Sequence, residues 1–420
     1  MNRVLIITYY WPPSGGAGVQ RWLKFSKYLP QFGWEPYILT VNPEHAAYPD
    51  LDPSLERDIP DSIKVFRTKA TDWFRFYGND KSKVPSAGFA KNKDDSLRGK
   101  ISRFIRGNFF IPDPRKGWNK YAIRKACEII EDEKIRHVIT TSPPHSTQLI
   151  GLKLKKKYPD IRWITDLRDP WTEIYYYEHF YPTFLPKKID QYYERKVLEN
   201  ADKITTVGPS LKNAFSQKIT GIENKTEVIT NGYDEADFEG RNGNIPSRFT
   251  ITYVGTLAEA YPIDGLISVL AKIRKQEINF LLRFVGTVPD IIRKRIVSEL
   301  SMDSVEFIAY TSHSEAITYM MNSSVLLLVI PDHSKNKSIV TGKIFEYIAS
   351  KKPILCLGPD DGDAAGIIMH NNFGKSYSYF DCNNIEDFII STISDPLRRN
   401  NGSNKFTHRN LAKKLASLLE

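Results

Sequence analysis

Cysteine is scarce, with three in 420 residues (Cys127, Cys356 and Cys382), scattered and odd in number. That usage excludes a disulfide framework and a zinc-binding spacing, and it points to a reducing compartment. Long apolar runs are missing as well. The longest wholly apolar one, Val325 to Ile330, falls far short of the ~20 residues that a membrane-spanning helix needs. The opening "MNRVLIITYYWPP" carries one arginine and a short apolar stretch before prolines and glycines. A first β-strand suits it better than a signal peptide. No G-x-G-x-x-G or Walker loop follows that stretch, and no zinc-finger or RRM pattern occurs, so a nucleic-acid recognition module is not expected. Acidic residues are the minority charge, 49 against 59 basic, for a net +10. The excess favours an anionic partner, whether nucleotide, phosphorylated substrate, lipid surface or nucleic acid, or it is simply a solvated basic face.

What is present is a soluble globular composition, 41% hydrophobic and 26% charged. The chain is too long for one ordinary core, so two domains are expected. Short apolar runs that read as buried parallel strands alternate with helical spacing. "RVLIITYY" is a strand, "GVQRWLKFSKYLPQFG" a helix stopped by Pro30 and Gly33, and "EPYILTVN" a second strand. The alternation runs on to "TEVITNGYD". A polar, glycine-bearing stretch, "ADFEGRNGNIPSR", follows, and then a second series opens with "FTITYVGT". The boundaries read as an N-terminal domain over 1–235, a linker over 236–249, a C-terminal domain over 250–395 and a C-terminal helix in 396–420.

This predicts an α/β protein with two doubly wound, Rossmann-like sheets facing a central cleft, where ligands would bind beyond the carboxyl ends of the strands. One stretch stands apart. Residues 71–118 are too long for an ordinary loop. They interleave Trp73, Phe74, Phe76, Phe104, Phe109 and Phe110 with Arg98, Lys100, Arg103, Arg106, Arg115 and Lys116. Such a mixture suits a membrane-interfacial segment, and it equally suits a lid or plain packing.

The first strand-to-helix turn is "PSGGAGVQ". Gly15 and Gly16 there permit unusual backbone angles and close approach of a ligand. "PSGGAGVQRWLKFSKYLPQFGWEPYILT", "VITNGYDEADF", "ITYVGTL" and, most specifically, "TGKIFEYIASKKPIL" resemble, in order and spacing, the motifs of GT-B fold glycosyltransferases of the family 4 type. "TDLRDPWTE" resembles a segment of a subgroup that makes surface polysaccharides. The resemblance covers nearly the whole chain, with 71–118 as the clearest insertion.

It implies a metal-independent transferase without cofactor. The donor would be a nucleotide sugar, UDP- or GDP-linked, and the acceptor a glycan or a lipid-linked saccharide. It implies retention at the anomeric carbon, and a C-terminal helix returning to the N-terminal domain. With the basic charge it implies a cytoplasmic protein in peripheral contact with an anionic membrane.

The donor side would use Gly15, Gly16, Gly255, Thr256, Arg283, Thr341, Gly342, Lys343 and Glu346. Lys343 would neutralise the leaving diphosphate at a helix start, and Glu346 would accept from ribose hydroxyls. Two departures stand out. Ser338 lies eight positions before Glu346, where many members have a second glutamate. Thr256 and Asp264 lie near where an arginine and a lysine are common, which leaves Lys343 to act with Arg283 or with backbone alone. On the acceptor side Asp169 is the first candidate to orient or deprotonate a hydroxyl, with Asp166 or His145 as alternatives. Asp169 and His145 also have plain structural readings, as a turn cap and as a helix cap. Two other functions share these features: a nucleotide-sugar epimerase of the same fold, and a non-catalytic polyanion-binding protein.

Overall fold

The computed structural model describes residues 1–71, 73, 96–174, 176–259, 261–395, 400 and 402–420. Phe74 and Phe76 lie outside the described residues. The chain forms two compact units: one from the chain up to Asn231 together with His408–Glu420, the other essentially from Gly232–Thr407.

The first unit opens with β1 (Asn2–Ile7), α1 (Ala17–Tyr28), β2 (Trp34–Val41) and β3 (Lys64–Thr68). It continues through α2 (Leu97–Phe109), α3 (Asn119–Asp132), β4 (His137–Ser142), α4 (Ser146–Lys157) and β5 (Arg162–Leu167). It closes with α5 (Phe184–Asn200), β6 (Lys203–Thr206), α6 (Pro209–Lys218) and β7 (Thr226–Val228). All seven strands are parallel, in the order β3-β2-β1-β4-β5-β6-β7. The direction of winding reverses between β1 and β4. At such a switch point the loops leave the carboxyl edge in opposite directions and open a crevice for ligands.

The period-two alternation of side chains makes β1 a two-faced core strand. Leu5 and Ile7 enter one apolar cluster with α3 and α4 residues, and Val4 and Ile6 enter the other with Val19, Trp22, Leu23 and Phe25 of α1.

The second unit runs β8 (Phe249–Val254), α7 (Asp264–Lys275), β9 (Phe280–Val285), α8 (Asp290–Leu300), β10 (Val305–Ile308) and α9 (His313–Met321). It ends with β11 (Val325–Val329), α10 (Lys343–Ala349), β12 (Ile354–Leu357), α11 (Asp363–His370), β13 (Gly374–Tyr377) and α12 (Cys382–Ser394). Its six parallel strands are ordered β10-β9-β8-β11-β12-β13. Here too alternate residues feed opposite clusters: Val325, Leu327 and Val329 one, Leu326 and Leu328 the other.

The last helix, α13 (His408–Leu419), belongs to the first unit, as the resemblance implied. Leu411, Ala412, Leu415, Ala416 and Leu419 share one helical face and are buried in the cluster that holds α1. The insertion holds a helix that apolar periodicity had not suggested. Ser96 caps α2 by accepting from the Gly99 N–H at 3.1 Å. No residue of α2 is fully buried, so the core-facing stripe that usually signals a helix is missing.

Candidate functional site

In the second unit the site begins where β8 ends. Strand alternation sends Tyr253 into the core, and its hydroxyl turns back to donate to the Thr256 carbonyl at 2.8 Å. The chain then turns at Gly255, with φ of +116°. Gly286 makes the matching turn after β9, and a Cβ there would come within 2.4 Å of the Gly255 carbonyl oxygen. Two bare turns therefore lie side by side at the carboxyl edge of the sheet.

Lys343 opens α10, and its ammonium occupies the space a side chain at position 255 would need. A Cβ on Gly255 would meet Nζ at 2.9 Å. Nζ donates to the Tyr253 hydroxyl at 3.0 Å and lies 4.1 Å from that ring's centroid. Burial lowers its pKa to about 8, with Glu346 pulling the other way. Tyr347, one helical turn further, accepts from the Val254 N–H at 3.0 Å and ties α10 to the end of β8. Lys343 is thus not a solvated first-turn lysine. It is a cation held against main chain by a ring and a hydroxyl, with no carboxylate bonded to it among the described contacts.

The other donor-side candidates divide. Glu346 lies one turn after Lys343 and pairs with His313 at 2.9 Å, a partner not foreseen in the sequence. Thr341 precedes α10 with its hydroxyl oxygen buried and without a hydrogen-bond partner, Gly342 is the N-cap residue, and Thr256 is exposed beside Gly255. Arg283 is engaged elsewhere: it bonds Glu306 at 2.6 Å and lies over the Tyr319 ring. Lys343 therefore has backbone and Tyr253 as its described company, not Arg283. Gly15 and Gly16 belong to the first unit. Gly16 starts α1 with φ of +90°, while the Gly15 amide already donates to the Asp50 carbonyl at 2.9 Å.

On the acceptor side the structure corrects one assignment. Asp166 is wholly buried. Its oxygens accept from Arg21 Nη2 at 2.9 Å and Nε at 3.3 Å, Trp22 Nε1 at 3.1 Å, Thr141 at 2.8 Å and Thr205 at 2.8 Å. Burial would raise its pKa, but Arg21, Arg168 and these donors outweigh it and hold the carboxyl below its usual value. A carboxylate so enclosed locks α1 to β4, β5 and β6 and has no route to a substrate hydroxyl. The signal for its partner was a charged residue on the core-facing side of "GVQRWLKF", and Arg21 is that residue.

Asp169 lies just past β5, half-buried, with its pKa raised by burial against the opposing pull of Arg168. His145 is the N-cap residue of α4 but makes no capping bond; Asp113 does that work, accepting from Ser146 N and Oγ at 2.8 Å each. The His145 ring stacks on Trp171, 4.9 Å between centroids, and burial depresses its pKa to about 4. Its imidazole is therefore neutral at ordinary pH. No group of three or more His, Cys, Asp or Glu side chains among the described residues could hold a metal ion. Among the same residues no helix is long and apolar enough to cross a membrane.

No protein-family model matches the sequence, and no curated protein matches it. Solved structures do match in shape. The chain is similar to a sucrose-phosphate synthase from Thermosynechococcus elongatus, with TM-score 0.61, 16% identity and coverage of 100% of this chain and 98% of that one. It is similar to HepE from Anabaena, solved with UDP and glucose (0.58, 13%, 99% and 95%). It is also similar to a putative UDP-N-acetylglucosamine 2-epimerase from Listeria monocytogenes (0.56, 10%, 98% and 94%). With its two parallel sheets, the chain has the two-domain, Rossmann-like GT-B fold.

Proposed function

We propose that this protein transfers a sugar from a UDP- or GDP-linked donor to a glycan or lipid-linked acceptor, in the assembly of a surface polysaccharide. The observation that carries the proposal is the Lys343 ammonium seated against Gly255 and Tyr253 at the carboxyl edge of the second sheet. A nucleotide sugar leaves as a diphosphate. That leaving group needs main-chain donors, a close approach that only glycine permits, and a cation with no competing carboxylate. Lys343 supplies the charge, the turns at Gly255 and Gly286 the bare backbone, and Glu346 an acceptor for ribose hydroxyls. In the transfer, the acceptor oxygen bonds to the anomeric carbon while the bond to the diphosphate breaks. Asp169, its pKa raised by burial, is the better-placed carboxyl to take the acceptor proton. Retention at the anomeric carbon, a cytoplasmic site of action and peripheral membrane contact through the basic and aromatic insertion belong to the same proposal.

The likeness to an epimerase sustains a second reading, and the products separate the two. Each UDP- and GDP-sugar is incubated with the protein, with and without membrane extract. A transferase releases free nucleotide, slowly without acceptor and faster with it. An epimerase leaves the nucleotide attached and changes the sugar. Release of nucleotide from neither series, with no change of sugar, removes both.

A further inference from the structure

The buried stripe of α5 carries acids where a core-facing helix is ordinarily apolar. Pro186, Asp190, Glu194, Val197 and Leu198 are its buried residues, and the spacing of Asp190 and Glu194 puts both carboxylates on one face. Both meet the segment that follows β5. Asp190 Oδ1 accepts from Trp171 Nε1 at 2.6 Å and its Oδ2 from the Tyr177 hydroxyl at 3.1 Å. Glu194 Oε2 accepts from the Thr172 hydroxyl at 2.7 Å, and its Oε1 pairs with Lys218 of α6 at 2.8 Å. Three donors of one loop are thus held by two neighbouring acids of one helix.

Asp169 is the residue that this arrangement places. On its N-terminal side, Arg168 donates from Nε to the Ser142 carbonyl at 2.9 Å and from Nη1 to the Gly18 carbonyl at 2.8 Å. On its C-terminal side, Pro170 has a fixed φ and leads straight to Trp171. That indole is buried, stacked on His145 and bonded to Asp190. Asp169 itself makes no hydrogen bond among the described residues. Its carboxyl stands between two anchored neighbours and is not used by the fold.

Asp190 does its anchoring at a cost to stability. Burial raises its pKa to about 6 against the pull of the Trp171 and Tyr177 bonds, and Asp113 and Glu194 push the same way as burial. The folded-state value lies above the ordinary carboxylate one. The stability this group contributes is therefore present while it is protonated and is lost as pH rises through about 6. At neutral pH the ionised carboxylate destabilises the protein, the reverse of Asp166. Its charge strengthens the bond to Trp171. A buried charge kept against stability points to a task other than holding the core.

We propose that Asp190, supported by Glu194 one turn on, is a positioning residue: it holds the loop after β5 so that Asp169 is presented to the acceptor hydroxyl. The anchoring stands on its own geometry; the acceptor's part in it rests on the transferase reading.

The test introduces Asp190→Asn, which keeps the shape and removes the charge, into the full chain. Urea unfolding at pH 7 should find the variant at least as stable as the parent. Turnover is read with the nucleotide sugar that the parent consumes and with membrane extract as the acceptor source. The maximal rate of nucleotide release should fall at least ~10-fold while the donor KM changes less than ~2-fold. Full turnover in the variant overturns the proposal. So does a loss of stability that accompanies the loss of rate, since Asp190 would then be structural only. A second readout needs no turnover. Protein labelled with 5-fluorotryptophan gives a fluorine resonance for Trp171, identified by its disappearance in Trp171→Phe. That resonance should shift with a midpoint at about pH 6 in the parent, at a higher pH in Tyr177→Phe, and not in that range in Asp190→Asn. Asp113 and Glu194, the latter paired with Lys218, also act on Asp190, and the His145 imidazole, depressed to about 4 by burial, stacks on the same indole. A midpoint at about 4, or one that Tyr177→Phe does not move, assigns the shift to those groups and overturns the anchor. Absence of any nucleotide-sugar turnover would sink the transferase reading, and the fluorine titration would still decide the anchoring.

Discussion

At the scale of single residues, two buried charges do opposite jobs. Asp166 is fully paired and serves the fold. Replacing it with Asn leaves the Arg21 guanidinium buried without its counter-charge, a loss of about 3–5 kcal/mol by the precedent of broken buried pairs. Urea unfolding of Asp166→Asn should show that loss at neutral pH. The Asp166 pKa is held down in the folded state, so the stability it contributes is present at neutral pH. That stability is lost as pH falls below the normal carboxylate range, and the parent's stability should fall toward that of the variant in acid.

Lys343 has no carboxylate bonded to it among the described contacts, and in the proposed function its charge meets the donor's diphosphate. Burial lowers its pKa to about 8, so an anion that needs the ammonium binds fully below that value. Nucleotide affinity should then fall by up to ~10-fold per pH unit above it. Titrations of UDP between pH 6.5 and 9.5 should show the decline in the parent and a flat, weak response in Lys343→Ala. The lysine itself was legible in the sequence, because a cation in a first helical turn is unfavourable without an anion. Its partners Tyr253 and His313 were not, since strand alternation assigns Tyr253 to the core and nothing local ties position 313 to Glu346.

At the scale of elements, the β-α alternation was readable wherever an amphipathic face is buried. In α13 the apolar residues fall at 411, 412, 415, 416 and 419, the spacing of one helical face, and all are buried with α1. Leu415→Ala should therefore cost roughly 2–5 kcal/mol, read as a lower midpoint in urea with an unchanged slope. The helix α2 was hidden because its apolar residues face outward instead of into a core. The TGKIF helix is shorter than its apolar pattern implies, beginning only at Lys343. Two small residues, Thr341 and Gly342, stand before it and leave the lysine at the very first position.

At the scale of the molecule, two consecutive α/β series predicted two doubly wound sheets, and the chain has them. The return of α13 to the first unit was legible only through family resemblance, since no periodicity says which domain a terminal helix joins. Residue roles were less readable than architecture, because burial decides them and burial is a property of the whole fold. Asp166 and Asp169 are three positions apart on and just past the same strand, yet one is sealed and the other half-buried.

The most direct measurement is calorimetric titration of UDP- and GDP-sugars at pH 7 into the parent and into folded Lys343→Ala protein. At least one donor should bind the parent saturably and bind the variant at least tenfold more weakly. Equal affinity for both proteins, or no binding to the parent by any donor, would contradict the assignment of the Lys343 and Gly255 turn to a sugar-nucleotide diphosphate.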